Sequence, residues 1–213
     1  MRAVLRPGRV GAVVLCLALL ATLAAAPAAS APAERPWMDA SRTPRARAEL
    51  LLARMTLEEK VAQLYGVWVG ADADGGQVAP HQHELADEPV DWRALIKSGL
   101  GQLTRPFGSV PVDPALGAQA LARSQAEIVA AGRHGIPALA HEECLAGFAT
   151  WGATIYPVPL AWGASFHPEL VEEMARRIGS SMRSVGVHQG LSPVLDVVRD
   201  YRWGRVEETI GED

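Results

Sequence analysis

Two clusters of charge stand out in a chain that is otherwise rich in alanine and aliphatic residues. One is His141-Glu142-Glu143. The other runs over 196–208 and packs Arg199, Arg202 and Arg205 among Asp196, Asp200, Glu207 and Glu208, around Trp203 and Gly204. Carboxylates interleaved with guanidinium groups suit two tasks. They can brace a loop or strand rim through arginine–carboxylate forks, or they can grip sugar hydroxyls through charge-assisted hydrogen bonds worth ~1.5–3 kcal/mol each, with tryptophan offering an apolar face. Composition leaves both tasks open. Metal chemistry fits less well, because a zinc-protease pattern needs a second histidine four residues after His141, where the chain has Leu145. His81 and His83 alternate in a loop without further spaced ligands and read as solvated.

The elements that must carry these clusters follow a β/α rhythm. An apolar strand over 136–141 leads into the first cluster, and a strand over 190–197 leads into the second. Between them, 168–185 is a helix with Leu170, Val171, Met174 and Ile178 on one side. Strand, crossover helix and parallel strand make an α/β protein, in which side chains at the carboxyl ends of the strands converge on one mouth. Upstream, a strand is expected over 101–104, with helices over 45–54, 57–65, 91–98 and 114–133. Thr56-Leu57-Glu58-Glu59 reads as a capping box, and 66–89 as a surface loop. There is no internal repeat.

The order of motifs is more specific than any one of them. Residues 54–61 (Arg-Met-Thr-Leu-Glu-Glu-Lys-Val) are followed by Gly135-Ile136-Pro137 with His141-Glu142-Glu143, then by Gly152-Ala153-Thr154 with Pro157. Next come Ser192-Pro193-Val194-Leu195-Asp196-Val197 with Arg199-Asp200, and Arg202-Trp203-Gly204-Arg205-Val206-Glu207-Glu208-Thr209 with Gly211-Glu212-Asp213. From about residue 45 to 213 the chain resembles glycoside hydrolase family 3. The resemblance implies an α/β fold, the first portion of a (β/α)8 TIM-like barrel that is incomplete in this chain. It also implies a retaining exo-β-glycosidase of β-glucosidase or β-xylosidase type, acting on terminal non-reducing β-linked residues of an oligosaccharide or β-glycoside. On that resemblance Glu143 holds sugar hydroxyls in the terminal subsite, Arg205 is the sugar-binding arginine and Glu208 is its acidic neighbour. Asp200 and Arg202 brace them, and no cofactor or metal is called for.

Two positions depart from the family pattern. Ala146-Gly147 stands where His-Gly is usual, and Asp200-Tyr201-Arg202-Trp203 where Asp-Pro-Arg-Trp is usual; neither change removes Glu143 or Arg205. Retaining cleavage needs two carboxyl groups about 5 Å apart. The resemblance implies that this nucleophile and acid/base, and a sugar-gripping Lys-His pair, lie beyond Asp213. Because a complete barrel needs ~250 residues, the chain alone is expected to be inactive and aggregation-prone, with an unpaired strand edge. The alternative is a non-catalytic exported carbohydrate-binding protein.

Composition sets the compartment. Arg2, Arg6 and Arg9 precede an uncharged apolar run over 10–26 that ends in small residues, the order of a secretory signal. That run is at or below the ~17-residue minimum for a membrane span, so no stable anchor is expected. Residues 1–31 are read as a signal peptide and 32–213 as an exported domain, secreted or periplasmic. Losing those arginines takes the formal charge from −4 to about −7 and leaves no basic stripe for nucleic acid. Cys144 is then left without an intramolecular disulfide partner, so stability must come from a hydrophobic core in which Cys144 is a small buried side chain.

Overall fold

The computed structural model describes residues 35–68, 91–108 and 111–212. The expected signal peptide, His81 and His83 lie outside the described residues. The chain divides into two units at Ala53 and Arg54. In the first, a 3-10 turn at Pro36–Met38 precedes α1, Pro44–Leu52, whose cap Thr43 accepts the Ala46 amide at 3.2 Å. Arg47 Nε donates to the Trp37 carbonyl at 2.6 Å and ties turn to helix.

The second unit holds a parallel sheet of four strands, β1 (Gly66–Trp68), β2 (Gln102–Thr104), β3 (Leu139–Glu143) and β4 (Gln189–Leu191), adjacent in chain order. The helices are α2 (Leu57–Ala62), α3 (Trp92–Ile96), α4 (Pro114–Ala131), α5 (Pro159–Ala164) and α6 (Pro168–Ser184). Parallel neighbours linked by helices, each new strand added beside the last, form the repeating unit of a (β/α)8 barrel. The ladder pairs Trp68 with Thr104, Thr104 with His141, and Glu143 with Leu191. Since side chains alternate along a strand, Trp68, Thr104, His141 and Glu143 share one face. Val67, Leu103 and Ala140 share the other, where they meet Ile96, Leu100, Phe107, Leu121, Ile128, Ile178 and Met182 in the core. Cys144 is buried there, and its thiol is pushed up by burial. Gly190 makes room for it, because a Cβ at 190 would lie 2.4 Å from Cys144 Sγ.

Four elements differ from the sequence expectation. Gly66–Trp68, assigned to a loop, is an edge strand whose three residues are too few to show a period. β3 begins and ends later than expected, so Glu142 and Glu143 are in the strand itself. β4 is only three residues long, followed by Ser192 and Pro193; proline has no N–H to extend the ladder. Helix α5 went unrecognised because Val158 provides no side-chain cap.

The expected capping box is present: Thr56 Oγ1 accepts the Glu59 amide at 3.2 Å, and Glu59 Oε2 accepts the Thr56 amide at 2.8 Å. Glu59 also reaches across to the segment that enters β3. Arg133 donates Nε to Oε1 at 2.9 Å and Nη2 to Oε2 at 2.8 Å, while its Nη2 also meets the Arg54 carbonyl at 2.8 Å. Hydrogen bonds from Arg133 outweigh desolvation and hold the Glu59 carboxyl down at about 2. A carboxyl whose pKa is lower in the folded state contributes stability above its unfolded value near 4.5, and that stability is lost as pH falls through about 2. Glu59→Gln is therefore expected to destabilise the domain by roughly 1–3 kcal/mol at pH 7 and to flatten its acid sensitivity below pH 4.5, measured by urea denaturation at several pH values.

Candidate functional site

The carboxyl end of β3 presents His141 and Glu143 on one face and Glu142 on the other. His141 is buried, and desolvation lowers its pKa against the opposing charge of Glu143. The chain then turns sharply. Ala149 donates its amide to the Glu143 carbonyl at 3.0 Å, and Tyr156 donates to the Ala146 carbonyl at 2.9 Å. The loop at Ala146, where the family usually has histidine, is thus closed by the backbone. Glu143 itself is half-buried at the carboxyl end of β3.

The second cluster is built on two consecutive 3-10 turns, Tyr201–Trp203 and Val206–Glu208. Asp200 caps the first by accepting the Arg202 amide at 2.9 Å, and its carboxylate also takes the Arg202 guanidinium. Tyr201, in place of proline, donates its hydroxyl to Glu212 Oε2 at 3.2 Å and so adds a tie of its own. Gly204 follows with φ +84°, a left-handed conformation that reverses the chain between the two turns. Arg205 Nε donates to Glu208 Oε2 at 2.9 Å and Nη2 reaches the same oxygen. The fully buried Thr209 donates its hydroxyl to the Val206 carbonyl at 2.7 Å, and a parallel bridge from Thr209 to Val194 anchors the segment to the chain leaving β4.

Electrostatics joins the two clusters. The Arg205 guanidinium is held in its charged form first by Glu208, and the charges of Glu143 and Asp196 add to the same effect. Glu143 thus lies within electrostatic reach of Arg205, as does Asp196, a carboxylate that the sequence reading had left within the cluster without a role. Asp200 and Arg202 pair with each other, as expected of bracing residues.

The structure adds groups that the sequence did not single out. Arg105, directly after β2, stacks its guanidinium over Trp68, with Cζ 4.8 Å from the ring centroid. Only the ladder register brings these two residues together. Glu142 is fully buried on the helix side; its Oε1 accepts the Phe107 amide at 2.5 Å, while Oε2 finds no partner of hydrogen-bond geometry among the described residues. Burial raises the Glu142 carboxyl to about 7, against the pull of the Phe107 amide and the Arg105 charge. Among the described residues, no group of three histidines, cysteines or carboxylates is placed to hold a metal ion, and no helix is long and apolar enough to cross a membrane.

A parallel β/α sheet with acidic and basic groups at its strand ends defines the first part of a barrel-type α/β domain. Residues 56–213 match the model of the glycosyl hydrolase family 3 N terminal domain, and the chain belongs to that family. It is 35% identical over 179 residues to a putative beta-xylosidase of Formosa agariphila, covering 83% of this chain and 22% of that protein. Against a periplasmic beta-glucosidase of Salmonella typhimurium it is 29% identical over 163 residues, covering 76% of this chain and 18% of the relative. A solved β-glucosidase from Erythrobacter marinus superposes with a TM-score of 0.69 at 32% identity, over 85% of this chain and 22% of that one. The chain spans about a fifth of the length of these proteins.

The Glu142 environment gives a signed pH effect. A carboxyl whose folded value is raised contributes stability that is fully present below its unfolded value near 4.5 and is lost as pH rises through about 7. Glu142→Gln removes the titration, so the variant is expected to gain on the wild type by roughly 2–3 kcal/mol between pH 4.5 and 7.5, measured by paired denaturation curves at those two values.

Proposed function

We propose that this chain supplies the terminal-sugar subsite of an exported, retaining exo-β-glycosidase that releases terminal non-reducing β-linked glucose or xylose. Glu143 accepts hydrogen bonds from sugar hydroxyls, Arg205 donates to them, and Glu208 keeps the Arg205 fork in place. The observation that supports this reading is the Arg205–Glu208 fork on the turns after β4, with the charge of Glu143 at the end of β3 within electrostatic reach of it. A family whose relatives include proteins named beta-xylosidase and beta-glucosidase supports the reaction class.

Each partner has a chemical reason for its place. A carboxylate only accepts, a guanidinium only donates, and a sugar hydroxyl does both, so the pair can engage neighbouring hydroxyls with complementary polarity. The Arg205–Glu208 fork fixes the guanidinium before substrate arrives, which reduces the ordering cost of binding. The carboxyl pair of retaining cleavage, one attacking the anomeric carbon and one protonating the leaving oxygen, is assigned to residues C-terminal to Asp213. The basic and apolar start of the chain, residues 1–31, is assigned to export.

The test is to express the protein from its complete reading frame and assay aryl β-glucoside and aryl β-xyloside side by side. Glu143→Ala and Arg205→Ala are each expected to lower kcat/KM by about 100-fold or more, while Glu208→Gln gives a smaller loss. Full activity in Glu143→Ala would remove the subsite assignment, and no cleavage of either glycoside by the wild type would remove the reaction class.

A further inference from the structure

The loop that follows β2 holds Arg105 in a backbone conformation disfavoured for any residue with a Cβ. Its φ is +46°, in the left-handed region. Several contacts keep it there. The Arg105 amide donates to the His141 carbonyl at 2.9 Å, and two residues on, the Phe107 amide donates to the buried Glu142 Oε1 at 2.5 Å. Arg105 Nη2 meets the Gly108 carbonyl at 3.4 Å, and the guanidinium lies over Trp68 at 4.8 Å. Gly108 leaves the space for it, because a Cβ at 108 would lie 2.8 Å from Arg105 Nε.

Plain alternation would send the side chain at 105 to the helix side with Glu142. The left-handed residue instead returns it toward Trp68, whose ladder partner Thr104 is paired in turn with His141. That is the face shared with Glu143. Strained backbone over-determined by its surroundings gathers at functional sites, and here the strain delivers a planar, donor-rich cation, stacked on an aromatic ring, to the carboxyl end of the sheet.

We propose that Arg105, held by Trp68, is a further substrate-contacting residue that donates hydrogen bonds to hydroxyls of the terminal sugar beside Glu143 and Arg205. This rests on the β-glycosidase reading above and deepens it: the subsite would grip the sugar from β2 as well as from β3 and the Arg205 turn. A guanidinium suits the task because its fixed fork matches two adjacent hydroxyl oxygens, and the Trp68 ring limits its rotation. The competing role, a purely structural cation near Glu142, makes a different prediction, since it has no reason to distinguish one sugar hydroxyl from another.

The experiment uses the protein expressed from its complete reading frame and a set of aryl β-glycosides that each lack one sugar hydroxyl. Arg105→Ala should lower kcat/KM on the parent glycoside by about 10- to 100-fold. Removing the contacted hydroxyl should cost this variant less than it costs the wild type, while removing any other hydroxyl costs both alike. Gly108→Ala, whose methyl displaces the guanidinium without deleting it, should reproduce the pattern in weaker form, and it carries the comparison if Arg105→Ala does not fold. Variants as active as the wild type, or with a loss that is uniform across the analogues, overturn the proposal and leave the glycosidase reading standing. A wild-type protein that cleaves none of the parent glycosides overturns that reading and this assignment together.

Discussion

The register of β3 between its neighbours decides which face each of its charged side chains takes. With Thr104 opposite His141 and Glu143 opposite Leu191, consecutive glutamates are sent to opposite faces, Glu143 to the mouth and Glu142 to the core. A slip of one residue would exchange them. Such a slip is opposed, because it would replace the fully buried Ala140 with Leu139 or His141 and would take the Glu142 carboxyl away from the Phe107 amide. Burying that carboxyl is costly, and its raised pKa is the mark of the cost. The hydrogen bond from Phe107 in the loop after β2 offsets part of it and ties that loop to β3.

Stabilising contacts and exposed charge are separated along the strands. The Glu59–Arg133 clamp lies where the chain enters the sheet, and joins the start of α2 to the turn before β3. It fixes the packing of the β/α units without using any group at the other end. The carboxyl ends, by contrast, carry Glu143, Arg105 and the 3-10 turns with Arg205, where conformational strain and exposed charge concentrate. Barrel domains commonly divide labour in this way, and here the division can be followed residue by residue. Glu59 is satisfied by three donors, whereas among the described residues Arg205 pairs with Glu208, and the charges of Glu143 and Asp196 act on it from further off.

Much of the fold could be read in the sequence because its signals are local. The Thr56 capping box, the Asp113-Pro114 start of α4 and the apolar face of α6 depend on residues within a turn or two of one another. Glu143, Arg205 and Glu208 were singled out through the order of several motifs, and the structure places Arg205 and Glu208 in one fork without assigning their roles. What stayed hidden depends on distant partners. β1 is a strand only because β2 lies beside it, Trp68 meets Arg105 only through the ladder, and Glu142 looked like the end of a strand until Phe107 supplied its partner. The apolar run from Ile136 and the charge at Glu142 set the expected bounds of β3, although the ladder places the strand two or three residues later.

The most direct measurement is a crystal structure of the protein from its complete reading frame with a monosaccharide product bound. Sugar hydroxyls within hydrogen-bond distance of both Glu143 and Arg205, with Glu142 still turned into the core against the Phe107 amide, would bear out a subsite formed by the β3 register. A sugar bound elsewhere, or one that touches Arg205 while Glu143 points away, would contradict it.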